Sequence, residues 1–313
     1  MARRLRFIPQ GGSLVEVTCR TVQGRFLLKP THELRSLVIG ILARAQGLYP
    51  VGLHAFVFLS NHYHLLLSVE DALQLARFMN YLNSNLAREA GRLYGWKEKF
   101  WGRRYQAIVI SEEASAQVAR LRYLLSHGCK EGLVDKPRQW PGAHCVSALL
   151  TDQRLQGLWF DRTSEYVARA RGEECSSLDF ASIETLTLTP MPCWRHLSQE
   201  QQRARVGRLI EKIESETAKR HFKDRTRPAG VRAILSQHPH DRPGRLKSSR
   251  APVFHAASAR ARRELVEAYD GFVAAYRDAA ESLRKGHFGV AFPIGSFPPR
   301  LPFVQRVAEL APG

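Results

Sequence analysis

At 313 residues the chain is long enough for one large domain or two ordinary ones, and its 44% hydrophobic content is that of a fold with a buried core. Against 29 Asp and Glu stand 47 Lys and Arg, a formal charge of +18 and a pI of about 10.2, which favours a polyanionic partner such as nucleic acid. The five scattered cysteines lack a Cys-x-x-Cys pair, which argues against a disulfide framework or zinc finger and for a reducing cytoplasm; the basic start is broken by Pro9 and two glycines before any signal core develops, and no run is long enough to cross a bilayer.

In chain order, residues 13–19 alternate around Val15, Val17 and Cys19. With the turn at Gln23-Gly24 and the short apolar run Phe26-Leu27-Leu28, they read as an opening strand. Thr31 precedes apolar residues at helical spacing (Leu34, Leu37, Val38, Ile41, Leu42), and Gly47 ends that helix. Residues 54–59 form a strand, and a tight Ser60-Asn61 corner joins it to the run beginning at His62 as a hairpin. Asp71 caps a second helix through Leu75, Phe78, Met79, Leu82 and Leu86. Residues 105–110 are another strand, and Glu112 and Glu113 open a third helix that runs to Gly128. Strand, helix, hairpin, helix, strand, helix predicts an α+β fold, a ferredoxin-like (RRM-like) antiparallel sheet with helices on one face.

The run Leu59-Ser60-Asn61-His62-Tyr63-His64-Leu65-Leu66-Leu67-Ser68 sets two histidines one residue apart in an apolar strand. Strand side chains alternate, so His62, His64, Leu66 and Ser68 share one face and Tyr63, Leu65 and Leu67 the other. Two imidazoles converging on one point suit a metal; the alternative is a pair satisfied by backbone or water at a sheet edge. On the third helix Tyr123 and His127 lie four residues apart, on one face. A tyrosine hydroxyl, with an ordinary pKa near ~10, attacks a phosphodiester only when a metal or base helps it, and Tyr123 reads equally as a packing aromatic beside Leu121 and Leu124. The stretch from Trp96 through Lys97, Lys99, Phe100, Trp101, Arg103 and Arg104 to Tyr105 interleaves cations with aromatic rings. Either these rings stack on unpaired bases while the cations meet phosphates, or Phe100 and Trp101 pack inward.

The His62–His64 segment resembles the histidine-hydrophobic-histidine (HUH) motif of single-tyrosine transposases, the insertion-sequence-200-like family that includes the REP-associated tyrosine transposases. Gly102-Arg103-Arg104-Tyr105-Gln106-Ala107 resembles that family's Gly-Arg-Tyr-Lys-Ala segment, residues 121–134 resemble its tyrosine helix, and Trp140-Pro141 matches its Trp-Pro. The resemblance covers roughly residues 5 to 146. It implies that His62 and His64 are metal ligands, that Tyr123 is the nucleophile, and that the third ligand falls at His127, where the family usually carries Asn or Gln. The Asn-Pro after the tyrosine is replaced by His127-Gly128. It also implies a metal-dependent single-strand DNA endonuclease and strand transferase working through a 5′-phosphotyrosine on hairpin or palindromic DNA, with Mg²⁺ or Mn²⁺ as the ion. Lys97, Lys99, Trp101, Arg103, Arg104 and Tyr105 are the candidate DNA-binding residues. A replication initiator or relaxase would use the same chemistry, and a non-catalytic nucleic-acid-binding protein is the reading from another class.

The expected organisation is a catalytic domain over residues 5–150, a linker over 151–192 and a basic, mainly helical accessory region over 193–313. In the last, Ser198 and Gln201 make a capping box, and residues 258–285 carry an apolar stripe (Leu265, Tyr269, Phe272, Tyr276, Ala279, Leu283) for packing on another helix. His238-Pro239-His240, in a basic Pro- and Gly-containing stretch, reads as solvated loop because proline opposes a central strand. Residues 292–303 read as extended surface chain. The expected partner is single-stranded or hairpin DNA in the cytoplasm, with no membrane and with homodimerisation left open.

Overall fold

The computed structural model describes residues 4–151, 153–244 and 252–299. The alternating stretch forms strand β1 (Ser13–Arg20), and helix α1 (His32–Leu48) starts where the Leu34 N–H donates to Thr31 Oγ1 at 3.2 Å. Strands β2 (Gly52–Phe58) and β3 (His62–Val69) form the hairpin, closed by the Leu59 N–H donating to the His62 carbonyl at 2.8 Å. Asp71 caps α2 (Ala72–Tyr94), and Gly95 stops it in the left-handed region at φ 65°. Strand β4 (Gln106–Ile110), helix α3 (Ala114–Leu125) and the single turn α4 (His127–Lys130) follow.

The strand order β2-β3-β1-β4, with all three pairings antiparallel, is the ferredoxin-like arrangement. Register decides which side chains meet. Thr18 lies opposite His64 and Glu16 opposite Leu66, on one face; Val17 lies opposite Leu65 and Cys19 opposite Tyr63, on the other. Helix α2 covers the second face, where the Tyr63 hydroxyl donates to Asn83 Oδ1 at 2.6 Å, and α1 packs beside it. Val15, Val17, Tyr63, Leu65 and Leu67 are fully buried there, each aliphatic side chain contributing about 1.5–3 kcal/mol. The α3–α4 unit lies against the first face.

Helix α5 (Val146–Leu150) leads into residues 151–192, where the expected linker is instead folded structure. Strand β5 (Leu155–Phe160), helix α6 (Arg162–Ala170) and strand β6 (Ala181–Leu186) build an antiparallel pair that packs on α1. Two glycines permit the approach: a Cβ on Gly157 would stand 2.1 Å from the Ser36 carbonyl oxygen, and one on Gly40 would stand 2.2 Å from that of Leu158. The pair covers α1 with one face only, and Gln156, Ser182, Glu184 and Thr185 interrupt its apolar residues, so the segment mimics a connection.

Helix α7 (Gln199–Asp224), with the expected Ser198–Gln201 capping box, runs along α3, α4 and α5. Arg122 pairs with Glu216, and Arg220 Nη2 donates to the Cys129 carbonyl at 2.6 Å. After α8 (Gly230–Ser236), strand β7 (Phe254–His255) joins the main sheet parallel to β4, ahead of α9 (Ala259–Arg284). Among the described residues the α9 stripe packs chiefly on β7 rather than on another helix. Its rings meet Phe7 (5.7 Å from Tyr269, 5.3 Å from Phe272), Phe254 and Phe292, because aromatic edges and faces pair well without a helical partner. Nor is the His238–His240 triplet wholly solvated: His240 Nε2 lies 2.7 Å from the Tyr94 carbonyl, so it donates there, and its ring abuts Trp96 at 5.3 Å. Of the expected basic loop, residues 245–251 lie outside the described residues, as do 300–303 of the Pro-rich end; residues 292–299 form no helix or strand. Among the described residues no helix is long and apolar enough to cross a membrane.

Candidate metal centre and nucleophile

The hairpin corner and the α3–α4 junction bring four predicted site residues together. His62, His64 and His127 offer ring nitrogens that all lie within 4.8 Å of one another, and His62 Nε2 is 2.9 Å from His127 Nε2. The Tyr123 ring centroid stands 5.7 Å from that of His64 and 5.2 Å from that of His127. Although the helix is interrupted at Ser126, the Lys130 N–H donates to the Ser126 carbonyl at 2.7 Å, so the four-residue spacing still places Tyr123 and His127 side by side.

Hydrogen bonds to the far nitrogens decide which lone pairs face the cluster. Asn61 Nδ2 donates to the Gly24 carbonyl at 3.0 Å, which leaves its Oδ1 facing His62 Nδ1 at 2.6 Å; an amide oxygen only accepts, so His62 Nδ1 carries the proton. Glu16 Oε1 lies 2.7 Å from His64 Nδ1 and imposes the same tautomer. Both Nε2 lone pairs thereby face the cluster, where that of His62 accepts the Nε2 proton of His127 at 2.9 Å, a proton that a bound ion would displace. His127 Nδ1 is buried without a hydrogen-bond partner among the described residues, so the third donor is the least constrained. Burial pushes His62 and His127 well below the ordinary imidazole value, which keeps them neutral, the form that ligates. Three imidazoles fit a divalent ion, and nitrogen donors suit Mn²⁺ or Zn²⁺ better than oxygen-seeking Mg²⁺.

Tyr123 is half-buried. The Arg120 guanidinium sits 4.0 Å over its ring and the Lys130 ammonium 4.4 Å. Burial raises the hydroxyl above its ordinary value, and the Glu16 charge adds to this. Glu16 itself is buried, which alone would raise its carboxyl. The His255 ring 3.6 Å away, the hydrogen bond from His64 Nδ1 and the Arg120 guanidinium hold it well below the usual carboxylate range instead.

The basic-aromatic residues are not part of this cluster. Lys99, Trp101, Arg103, Arg104 and Tyr105 line a groove of about 1570 Å³ whose floor includes Cys19, Ala107 and Val109, on the sheet face away from the histidines; Arg4 and Arg6 complete its basic lining. Lys97, Lys99, Arg103 and Arg104 are exposed. Phe100 and Trp101 took the inward alternative: Phe100 is buried, and Trp101 is half-buried, edge-on to Tyr63 at 5.6 Å, with its indole N–H donating to the Asn83 carbonyl at 2.9 Å. Tyr105 is half-buried with Arg6 4.8 Å over its ring, and burial pushes its hydroxyl up to about 12.

Sequence reasoning missed Glu16, Arg120, Asn61, Lys130 and His255. Glu16 left a signal, as a lone acid on the polar face of an otherwise apolar strand, and Arg120 left another, three residues before Tyr123 on the same helical face. His255 left none.

A ferredoxin-like sheet carrying a three-histidine cluster beside a helical tyrosine defines the class of the molecule. Residues 26–124 match the model of the family described as "Transposase IS200 like", and over that segment the chain is similar to those transposases. Among solved structures, a REP-associated tyrosine transposase bound to a REP hairpin is 16% identical, covers 47% of this chain and 84% of its own, and superposes with a TM-score of 0.40. A transposase-like protein from Deinococcus radiodurans R1 is 18% identical over 39% of this chain and 95% of its own, with a TM-score of 0.28. No curated protein matches the chain.

Proposed function

We propose that the protein is a metal-dependent single-tyrosine DNA nuclease and strand transferase acting on hairpin or palindromic single-stranded DNA. The observation that carries this reading is the convergence of His62, His64 and His127 on one point with Tyr123 packed against two of the rings. A divalent ion held by the three imidazoles, Mn²⁺ in preference to Mg²⁺ for these nitrogen donors, would withdraw charge from the scissile phosphate. Tyr123 Oη attacks phosphorus and gives up its proton, the 5′-phosphotyrosine bond forms, and the departing 3′ oxygen leaves as a free hydroxyl after taking a proton. The new ester keeps the phosphodiester's bond energy, so the 3′-hydroxyl of a second strand reverses the step without a nucleotide cofactor. Arg120 and Lys130 flank the ring with positive charge, which favours the phenolate as it develops. Phosphates of the hairpin at a distance from the cut meet Lys97, Lys99, Arg103 and Arg104, with Tyr105 and Trp101 as the groove's aromatic wall.

Tyr105 is the rival nucleophile, yet it lines the groove on the face away from the cluster. Incubation with labelled hairpin DNA and Mn²⁺ gives a covalent adduct with wild-type protein and with Tyr105→Phe, and none with Tyr123→Phe. Mass spectrometry of the DNA-linked peptide locates the bond; an adduct on any other tyrosine overturns the assignment, and no adduct with wild-type protein overturns the enzyme.

A further inference from the structure

An ionised carboxylate can be buried only if its oxygens are met, and Glu16 is 2% exposed. Its partners come from three parts of the chain. Oε1 accepts from His64 Nδ1 on β3 at 2.7 Å; Oε2 accepts from the Arg120 guanidinium on α3 and lies 3.6 Å from His255 Nε2 on β7. Sheet register makes this convergence: Glu16 is opposite Ile108 and Leu14 opposite Ile110, and Ile110 is in turn beside His255, so all project to the histidine face. Since a carboxylate only accepts, His64 is held with its Nδ1 proton towards Glu16 and its Nε2 lone pair towards His62 and His127. Arg120, fixed at one end by the same carboxylate, lies 4.0 Å over the Tyr123 ring.

We propose that Glu16 is a positioning residue that sets the His64 tautomer and, through Arg120, the place of Tyr123, and that His255 closes this arrangement from the C-terminal region. The metal half of this inference rests on the reading above; the tautomer does not. His255 lies outside the family match over residues 26–124, so the accessory region contributes to the candidate centre itself.

The test uses the full chain labelled with ¹⁵N-histidine, first without metal. The wild-type spectrum shows a single His64 tautomer protonated at Nδ1, and Glu16→Gln shows a mixture. In Mn²⁺ titrations Glu16→Gln raises the dissociation constant by roughly 10–100-fold. Glu16→Asp, which keeps the acid, restores part of the loss, and His255→Gln produces a smaller rise in the same direction. For adduct formation, kcat per folded molecule, with the folded fraction read from the same spectrum, falls while KM for hairpin DNA stays within a few-fold. A wild-type His64 protonated at Nε2 overturns the proposal without recourse to any variant, and so does a Glu16→Gln protein with an unchanged spectrum and Mn²⁺ affinity. If wild-type protein binds no Mn²⁺ while the tautomer is set as described and lost in Glu16→Gln, the metal reading fails and the positioning role stands.

Discussion

The two faces of β3 are built from alternate residues of one short strand, yet they are held by different physics. On one face Tyr63, Leu65 and Leu67 are buried against α2, and dispersion is spread over many interchangeable contacts. On the other, His62 and His64 each have a particular partner, Asn61 and Glu16, and face a third histidine across a gap of a few ångströms. The first face tolerates approximate fit and supplies stability; the second depends on single hydrogen bonds and supplies chemistry.

Substitution of neighbours on the strand separates the two. His64→Ala is expected to lower Mn²⁺-dependent cleavage on the order of 10³-fold, as losing other preorganised electrostatic stabilisers does, with hairpin binding within a few-fold because phosphate contacts dominate affinity. Leu65→Ala, one residue on, is expected to reverse that pattern, destabilising the fold by about 3 kcal/mol in urea unfolding while the folded fraction still cleaves at the wild-type rate. Equal loss of stability from both would erase the distinction between the faces.

Protonation sharpens the comparison at a site outside the cluster. Burial pushes His54 and His144 from the ordinary 6.5 down to about 4. Above pH 6.5 both the folded and unfolded chains keep these rings neutral. As pH falls from 6.5 towards 4 the unfolded chain takes up protons that the fold refuses, so stability drops, by about 3 kcal/mol for the buried His54, and these groups add no further slope below pH 4. Urea midpoints measured with chelator from pH 7 to pH 4 should fall; a rise on acidification would contradict the buried neutral state. The smallest effect concerns the groove face. Arg103→Ala or Arg104→Ala is expected to weaken hairpin binding a few-fold and to make the log–log salt dependence shallower by about 1, and an unchanged slope would remove those residues from the DNA contact.

Much of this was legible because it is local. The period of two in β3, the four-residue step from Tyr123 to His127, and the caps at Thr31, Asp71 and Ser198 each involve neighbours in sequence, and the structure has all of them. The hidden parts depend on distant pairing. Glu16 acquires meaning only when β1 aligns Thr18 with His64 and Arg120 reaches across from α3. Strand β7 is two residues long, too short for any period to mark it. The β5–β6 pair reads as a connection because only one of its faces is covered, and Trp101 looks like a base-stacking ring until its N–H is seen donating to the Asn83 carbonyl.

The pairing of β7 with β4 also bears on the order in which the chain is made. The Val109 N–H donates to the Val253 carbonyl at 3.3 Å, and the Ser111 N–H donates to that of His255 at 2.8 Å. All three histidines and Tyr123 leave the ribosome long before residue 253 does. Until then those β4 amides form an open strand edge, the kind that templates pairing with another chain. Synthesis of the C-terminal segment, rather than of the histidine cluster, is therefore the event that seals the sheet.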